Sequence, residues 1–201
     1  MSYPNSIKNL IECYKKLPGI GEKTAERLAL ASINLDEEII NLFSKSLSDV
    51  KHKIKRCIKC NNLTEEDICK ICDNPKRDHS VICVVEEAKN VIVFEKVGSY
   101  NGIYHVLDGL ISPLNGKTPE NINITSLIKR IKDENIKEVI IAVKPSIEGE
   151  TTALYILKIL EGSNVTVSKI AHGIPLGAEM DYIDPLTLEM ALEDRKKLYE
   201  Y

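Results

Sequence analysis

Apolar residues at Ile7, Leu10, Ile11, Tyr14 and Leu17 recur every three or four positions, which predicts an amphipathic helix near the start of the chain. Ser6 stands where an N-cap hydroxyl would open it. Pro18-Gly19-Ile20-Gly21 then breaks the pattern, and a second helix follows with Ala25, Leu28 and Ala29 on one face. Asp36-Glu37-Glu38 opens a third helix with acids at the end where the helix dipole favours them. Ile39, Phe43, Leu47, Val50 and Ile54 give that helix an apolar stripe. After Pro75 the texture changes. Val81-Ile82-Cys83-Val84-Val85 is a short unbroken apolar run, the mark of a strand buried on both faces, and Glu138-Val139-Ile140-Ile141-Ala142-Val143 is a second. Residues 149–161 read as a helix apolar on several sides, and Val165, Val167 and Ile170 as a further strand. Strand, helix, strand at this spacing is a βαβ unit, so the sheet is at least partly parallel. Residues 98–120 are rich in Gly, Pro, Asn and Ser and read as a long surface loop. A last helix is expected over 185–199, opened by Asp184-Pro185.

Composition narrows the classes of function. The 201 residues suffice for one or two compact domains, and 43% hydrophobic with 28% charged residues is a globular balance rather than a disordered one. No apolar run reaches the length of a membrane span. The start, MSYPNSIKNL, has no apolar signal segment, so a cytoplasmic location is expected. The net charge of −3 does not announce a nucleic-acid binder, and any DNA contact must come from local patches. One such patch is Lys51, His52, Lys53, Lys55, Arg56 and Lys59, with no acid between 51 and 59. It can serve phosphates, or it can offset the charge of the cysteine cluster beside it.

That cluster is Cys57, Cys60, Cys69 and Cys72, spaced C-x2-C-x8-C-x2-C. Each CxxC knuckle aims two thiolates at one point, and two facing knuckles make a closed tetrahedral site. The expectation is one structural Zn²⁺ per chain, with no open position for water. Two disulfides would use the same four residues, but nothing in the sequence indicates an oxidising compartment. Cys13, in a helix, and Cys83, in an apolar run, are expected to be buried and inert.

Leu17-Pro18-Gly19-Ile20-Gly21, followed by Ala25, is a helix–hairpin–helix pattern. Its glycines allow a tight turn whose backbone N–H groups converge at the start of the next helix, a concavity suited to a phosphate oxygen. Gly19, Gly21, Lys23 and Arg27 are the DNA-binding candidates, with Lys23 and Arg27 four apart on one face. A plain αα-hairpin turn with solvent-facing basic residues accounts for the same residues. Gly21-Glu22-Lys23-Thr24 is not a phosphate-binding P-loop, which needs Gly directly before Lys and a strand before the loop.

The first apolar run ends in Glu86-Glu87 and the second in Lys144-Pro145-Ser146-Ile147-Glu148-Gly149. Carboxyl ends of parallel strands line the functional crevice of an α/β sheet. Residues 80–170 thus resemble a Toprim domain, the module of topoisomerases and primases, in which a Glu after one strand and D-x-D-x-x-G after a later one hold Mg²⁺. Glu86 matches the first position, but Lys144 and Ser146 stand at the two aspartate positions. A lysine repels Mg²⁺ and a serine replaces a carboxylate poorly. No nuclease or topoisomerase activity is expected. Glu86, Glu87, Glu148 and Glu150 leave an acidic rim, read as a docking face for a basic partner, with Glu86, Glu148 and Glu150 as the partner-binding candidates.

Hairpin, four-cysteine zinc finger, Toprim-like domain and C-terminal helix, in this order, resemble the RecR family of bacterial recombination mediators. The resemblance covers nearly the whole chain. It rests on L-P-G-I-G at 17–21, the four cysteines, Tyr104-His105-Val106-Leu107, Pro145-Ser146-Ile147-Glu148-Gly149-Glu150 with Thr152-Ala153-Leu154-Tyr155, and Gly173-Ile174-Pro175-Leu176-Gly177. Departures from the family pattern are Ala88 for Pro, Lys144 for Asn or Asp, His172 for Arg and Ala178 for Gly. The resemblance implies an α+β fold in several modules: 1–54 helix–hairpin–helix, 55–76 zinc finger, 77–175 Toprim-like α/β domain with a partly parallel sheet, and 176–201 C-terminal region. It implies a non-catalytic protein that binds single- and double-stranded DNA without reading sequence. With RecO and RecF such a protein loads RecA onto SSB-coated single strands, and copies assemble into a dimer or a tetrameric ring. The acidic rim would meet RecO. A metal-dependent Toprim enzyme and a zinc-ribbon protein adaptor that never touches nucleic acid are the competing functions.

Overall fold

The computed structural model describes residues 3–171 and 173–195, and the chain divides into two compact units, Met1–Ile54 and Lys55–Tyr201. His172 and residues 196–201, the end of the expected last helix, lie outside the described residues.

The first unit holds α1 (Asn5–Lys15), α2 (Glu22–Ser32) and α3 (Glu37–Lys53). α1 starts after Pro4 rather than at Ser6, because the proline ring presets a backbone angle that suits a helix start. Ile11, Ala25 and Ala29 are buried between α1 and α2, with Ile7, Leu10, Tyr14 and Ile20 packed around them. The two alanines let the helices approach closely, and Tyr14 Oη lies 3.1 Å from Ser32 Oγ across the pair. Cys13, expected to be buried, is exposed on the outer face of α1. α3 has the predicted acidic start but no buried residue, and its stripe of Ile39, Phe43, Leu47 and Val50 is exposed.

The second unit opens with the short antiparallel pair β1 (Lys55–Arg56) and β2 (Leu63–Thr64). A four-stranded, wholly parallel sheet follows, made of β3 (Asp78–Val85), β4 (Gly102–Val106), β5 (Glu138–Ala142) and β6 (Thr166–Lys169) in the order β4-β3-β5-β6. Its helices are α4 (Ala88–Val97), α5 (Ile124–Asp133), α6 (Ile147–Leu160) and α7 (Pro185–Glu193). The period of two explains the unbroken apolar run of β3. Ile82 and Val84 enter the core formed with Ile103, Leu127, Val139, Ile141 and Ile156, while Cys83 and Val85 enter the opposite core with Val91, Tyr104 and Val106.

The stretch 98–120 is not the surface loop that its composition predicts. Residues 102–106 form β4, buried along its whole length, and Leu107, Leu110 and Ile111 are buried after it. Gly102 misleads the reading. A Cβ there would lie 2.2 Å from the Tyr100 hydroxyl and 2.7 Å from the Val81 carbonyl, so the glycine permits close packing rather than a turn. The turn chemistry comes later, in two short 3-10 segments at Pro113–Asn115 and Pro119–Asn121.

Chain order fixes where a site can lie. From β3 the chain passes to β4 on one side, then crosses to β5 on the other. The carboxyl ends of β3 and β5 therefore flank the point where the winding reverses, the usual place for a crevice in such sheets.

Candidate metal centre and nucleic-acid interface

The zinc knuckles are shaped by local backbone bonds. Asn61 N–H donates to Cys57 O (2.9 Å) and Cys57 N–H to Asn62 O (2.7 Å), and Asn61 takes a left-handed conformation (φ 61°) to close the turn. Ile58 N–H reaches Asp67 O across the module, and Cys69 N–H points at Cys57 Sγ (3.3 Å). All four cysteines are buried, and their sulfur atoms lie within 4.8 Å of one another, with Cys60 and Cys69 at 3.5 Å. Four thiolates around Zn²⁺ at ~2.3 Å stand about 3.8 Å apart, so the spacing fits an ion and not a disulfide. The donor chemistry agrees. Sulfurs this close and this dry resist ionising together without a cation: contact with Cys69 first, then Cys72 and burial, pushes the Cys60 thiol far up. The residues present fit one structural Zn²⁺.

The module sits against the free edge of β4. Val106 N–H donates to Cys60 O (2.9 Å), and Asn61 Nδ2 returns a bond to Val106 O (3.2 Å). Arg56 bridges to Asp108 (2.8 Å), just past the strand. Further back, Arg77 Nη1 reaches Gly102 O (3.3 Å), and Arg77 is paired with Glu95. An open strand edge invites pairing with another chain, and here the knuckle and the arginine satisfy it. Ile71, between two ligands, packs against the zinc cluster and both cores of the sheet.

At the hairpin, Gly19 has φ +81°, which a side chain would strain, and Ile20 N–H closes the turn on Leu17 O. Gly21 caps α2 with φ −85°, a conformation open to any residue, and nothing lies within 4 Å of a Cβ built there. No side chain among the described residues caps α2, so its first N–H groups have no partner from them. Lys23 and Arg27 are exposed on the same helix, with no carboxylate partner among the described residues. Lys15, by contrast, is held by Glu12 (2.8 Å) and Glu22 (2.6 Å) and braces α1 to α2.

The strand ends carry the predicted rim, with lysines threaded through it. Lys144 Nζ is 3.6 Å from Glu86, Lys89 is 2.6 Å from Glu87, and Lys169 is 2.5 Å from Glu150. Glu148 has no lysine within ion-pair distance among the described residues; its acidity is raised by backbone and Ser146 hydrogen bonds at the start of α6. Ser146 caps that helix through Gly149 N–H (3.2 Å). A cleft of about 480 Å³ opens beside Glu86 and Lys144, lined by Asn90, Phe94, Ile170 and Met190. Among the described residues, only the four cysteines gather three or more ligand-type side chains at one point.

Family models agree with the modules one by one. Residues 7–51 match the helix-hairpin-helix of RecR, 54–74 its four-cysteine zinc finger domain, 80–171 the Toprim domain and 173–196 the RecR C-terminal region. The "Recombination protein RecR" of Enterococcus faecalis (strain ATCC 700802 / V583) is 49% identical over 198 residues, covering 98% of this chain and all of that protein. The chain belongs to the RecR family. Within a RecR framework, Lys144 and Ser146 have taken up other work, one as a partner of Glu86 and the other as a helix cap. The 51–59 basic run is also largely spoken for: Lys55 pairs with Asp67 (2.5 Å) and Arg56 with Asp108. The cation that reaches a ligand sulfur is Arg130 on α5, which the sequence reading missed. Its one signal is position, a charge three residues after Leu127 on the buried face of the helix.

Proposed function

We propose that this chain is a recombination mediator that holds DNA without cutting it. The observation that supports the reading most is the start of α2, where N–H groups without a side-chain cap, an open Gly21 and two cations unpaired among the described residues share one exposed surface. Such a surface grips phosphate and ignores base identity, so it serves single- and double-stranded DNA alike. As the RecR resemblance implies, the chain works with RecO and RecF to load RecA on SSB-coated single strands, in the cytoplasm. Glu86, Glu148 and Glu150 form the face offered to RecO, with Glu148 the most available because its neighbours are already paired.

The exposed stripe of α3 supports self-association, since a 17-residue helix with no buried residue among the described ones gains by covering that face with a second copy. A dimer or ring also reconciles a net charge of −3 with DNA binding, because several weak grips converge and avidity rises. The absence of catalysis follows from charge: Lys144 beside Glu86 disfavours Mg²⁺ where a Toprim enzyme needs it.

The experiment is fluorescence anisotropy of labelled DNA at low salt with Lys23→Ala/Arg27→Ala. The double variant should keep its thermal transition and lose at least tenfold in affinity. Unchanged affinity in a folded double variant would remove the hairpin from the DNA interface.

A further inference from the structure

We propose that Arg130 is a positioning residue for the zinc centre, holding the Cys72 sulfur and joining it to the free edge of β4. The residue is 5% exposed, an expensive place for a permanent cation unless its nitrogens find partners. Each of its three nitrogens is engaged. Nε donates to Glu134 (2.9 Å), Nη1 to Tyr104 O (2.7 Å), and Nη2 lies 3.9 Å from Cys72 Sγ. The planar fork of a guanidinium reaches three separated partners in fixed directions, where a lysine presents its donors from a single point.

Charge explains why an arginine belongs there. Glu134 supplies one negative charge. Four thiolates on Zn²⁺ carry a net −2, which burial makes costly, and a cation against one sulfur offsets part of it. Outer-shell donors of this kind orient a ligand and tune its electron density. The Tyr104 carbonyl is the second half of the argument. It belongs to the strand edge that Cys60 O and Asn61 cover further along, so the metal knuckle and the sheet share one hydrogen-bonded seam.

The test uses the full chain as wild type, Arg130→Met, Arg130→Lys and Glu134→Gln. Each is loaded with Co²⁺, and the thiolate-to-cobalt charge-transfer band is recorded. Zn²⁺ affinity is measured separately by competition with a chromogenic chelator. Arg130→Met should shift the band to longer wavelength, because an unbonded thiolate is richer in electrons, and should weaken zinc about 10–100-fold. Arg130→Lys should recover part of the affinity, and Glu134→Gln should leave the band in place. A wild-type band and wild-type zinc affinity in Arg130→Met would overturn the proposal, even if that variant were less stable, by reducing Arg130 to a support for Tyr104 and α5. Should Arg130→Met not fold, Arg130→Lys decides: an unmoved band with unchanged affinity overturns the proposal equally.

Discussion

Single residues divide the work between shape and charge. Gly21 has an ordinary backbone conformation and open space around it, so the turn does not require a glycine there. Its proposed service is to let a phosphate approach the backbone. Gly21→Ala should cost under about 1 kcal/mol of stability, as at an exposed N-cap, yet weaken DNA binding several-fold in a mobility-shift titration. His105 makes the opposite case. It is fully buried on β4, donates from Nε2 to Asn123 O (2.9 Å), and leaves Nδ1 without a partner among the described residues. Burial first, and the Arg130 charge after it, lowers its pKa to about 4 from the ordinary 6.5. The unfolded chain therefore takes a proton near pH 6.5 that the folded chain refuses until about pH 4. Stability is full above pH 6.5 and declines on acidification toward pH 4. Between pH 7.5 and 5.5 the loss from this residue should be about 1 kcal/mol in urea unfolding with bound zinc monitored. His105→Gln, which keeps a donor for Asn123, should flatten that part of the profile.

At the scale of elements, what was legible followed from how local the cause was. The zinc knuckles are a matter of spacing, the hairpin of Pro and Gly at a helix junction, and β3 and β5 of unbroken apolar runs, and each stands where it was read. β4 was illegible because its burial comes from outside: Gly102 is small to fit Tyr100 and Val81, and the polar His105 and Tyr104 bond to Asn123 and Glu95, which lie outside the strand. Arg130 was hidden for the same reason, its partners lying 26 and 58 residues away. Cys13 was misjudged because helical periodicity does not say which flank of a stripe faces the neighbour. Close fit also makes the 144–149 loop brittle. A Cβ on Gly149 would lie 2.0 Å from the Lys144 carbonyl. Gly149→Ala should cost about 2–3 kcal/mol in thermal or urea unfolding, by forcing that loop off the end of β5. A wild-type unfolding midpoint would show that the loop yields freely.

The whole molecule combines a metal-braced sheet with a helical unit that exposes both the turn proposed to grip phosphate and an apolar stripe. Under the proposed function neither feature would do much alone: one turn would hold DNA weakly, and an uncovered stripe is a liability in a lone chain. In the proposed mediator, assembly of copies around DNA would use both at once, and the lysine-filled strand ends would leave the DNA intact. Mass in solution, measured with and without covalently closed circular DNA in the presence of Mg²⁺, tests this most directly. The account predicts a multimer that stays on the closed circle through a salt wash and slides off once the circle is linearised, with the DNA uncut. A monomer at working concentration that leaves circular and linear DNA equally fast, or a circle nicked in a Mg²⁺-dependent way, would contradict it.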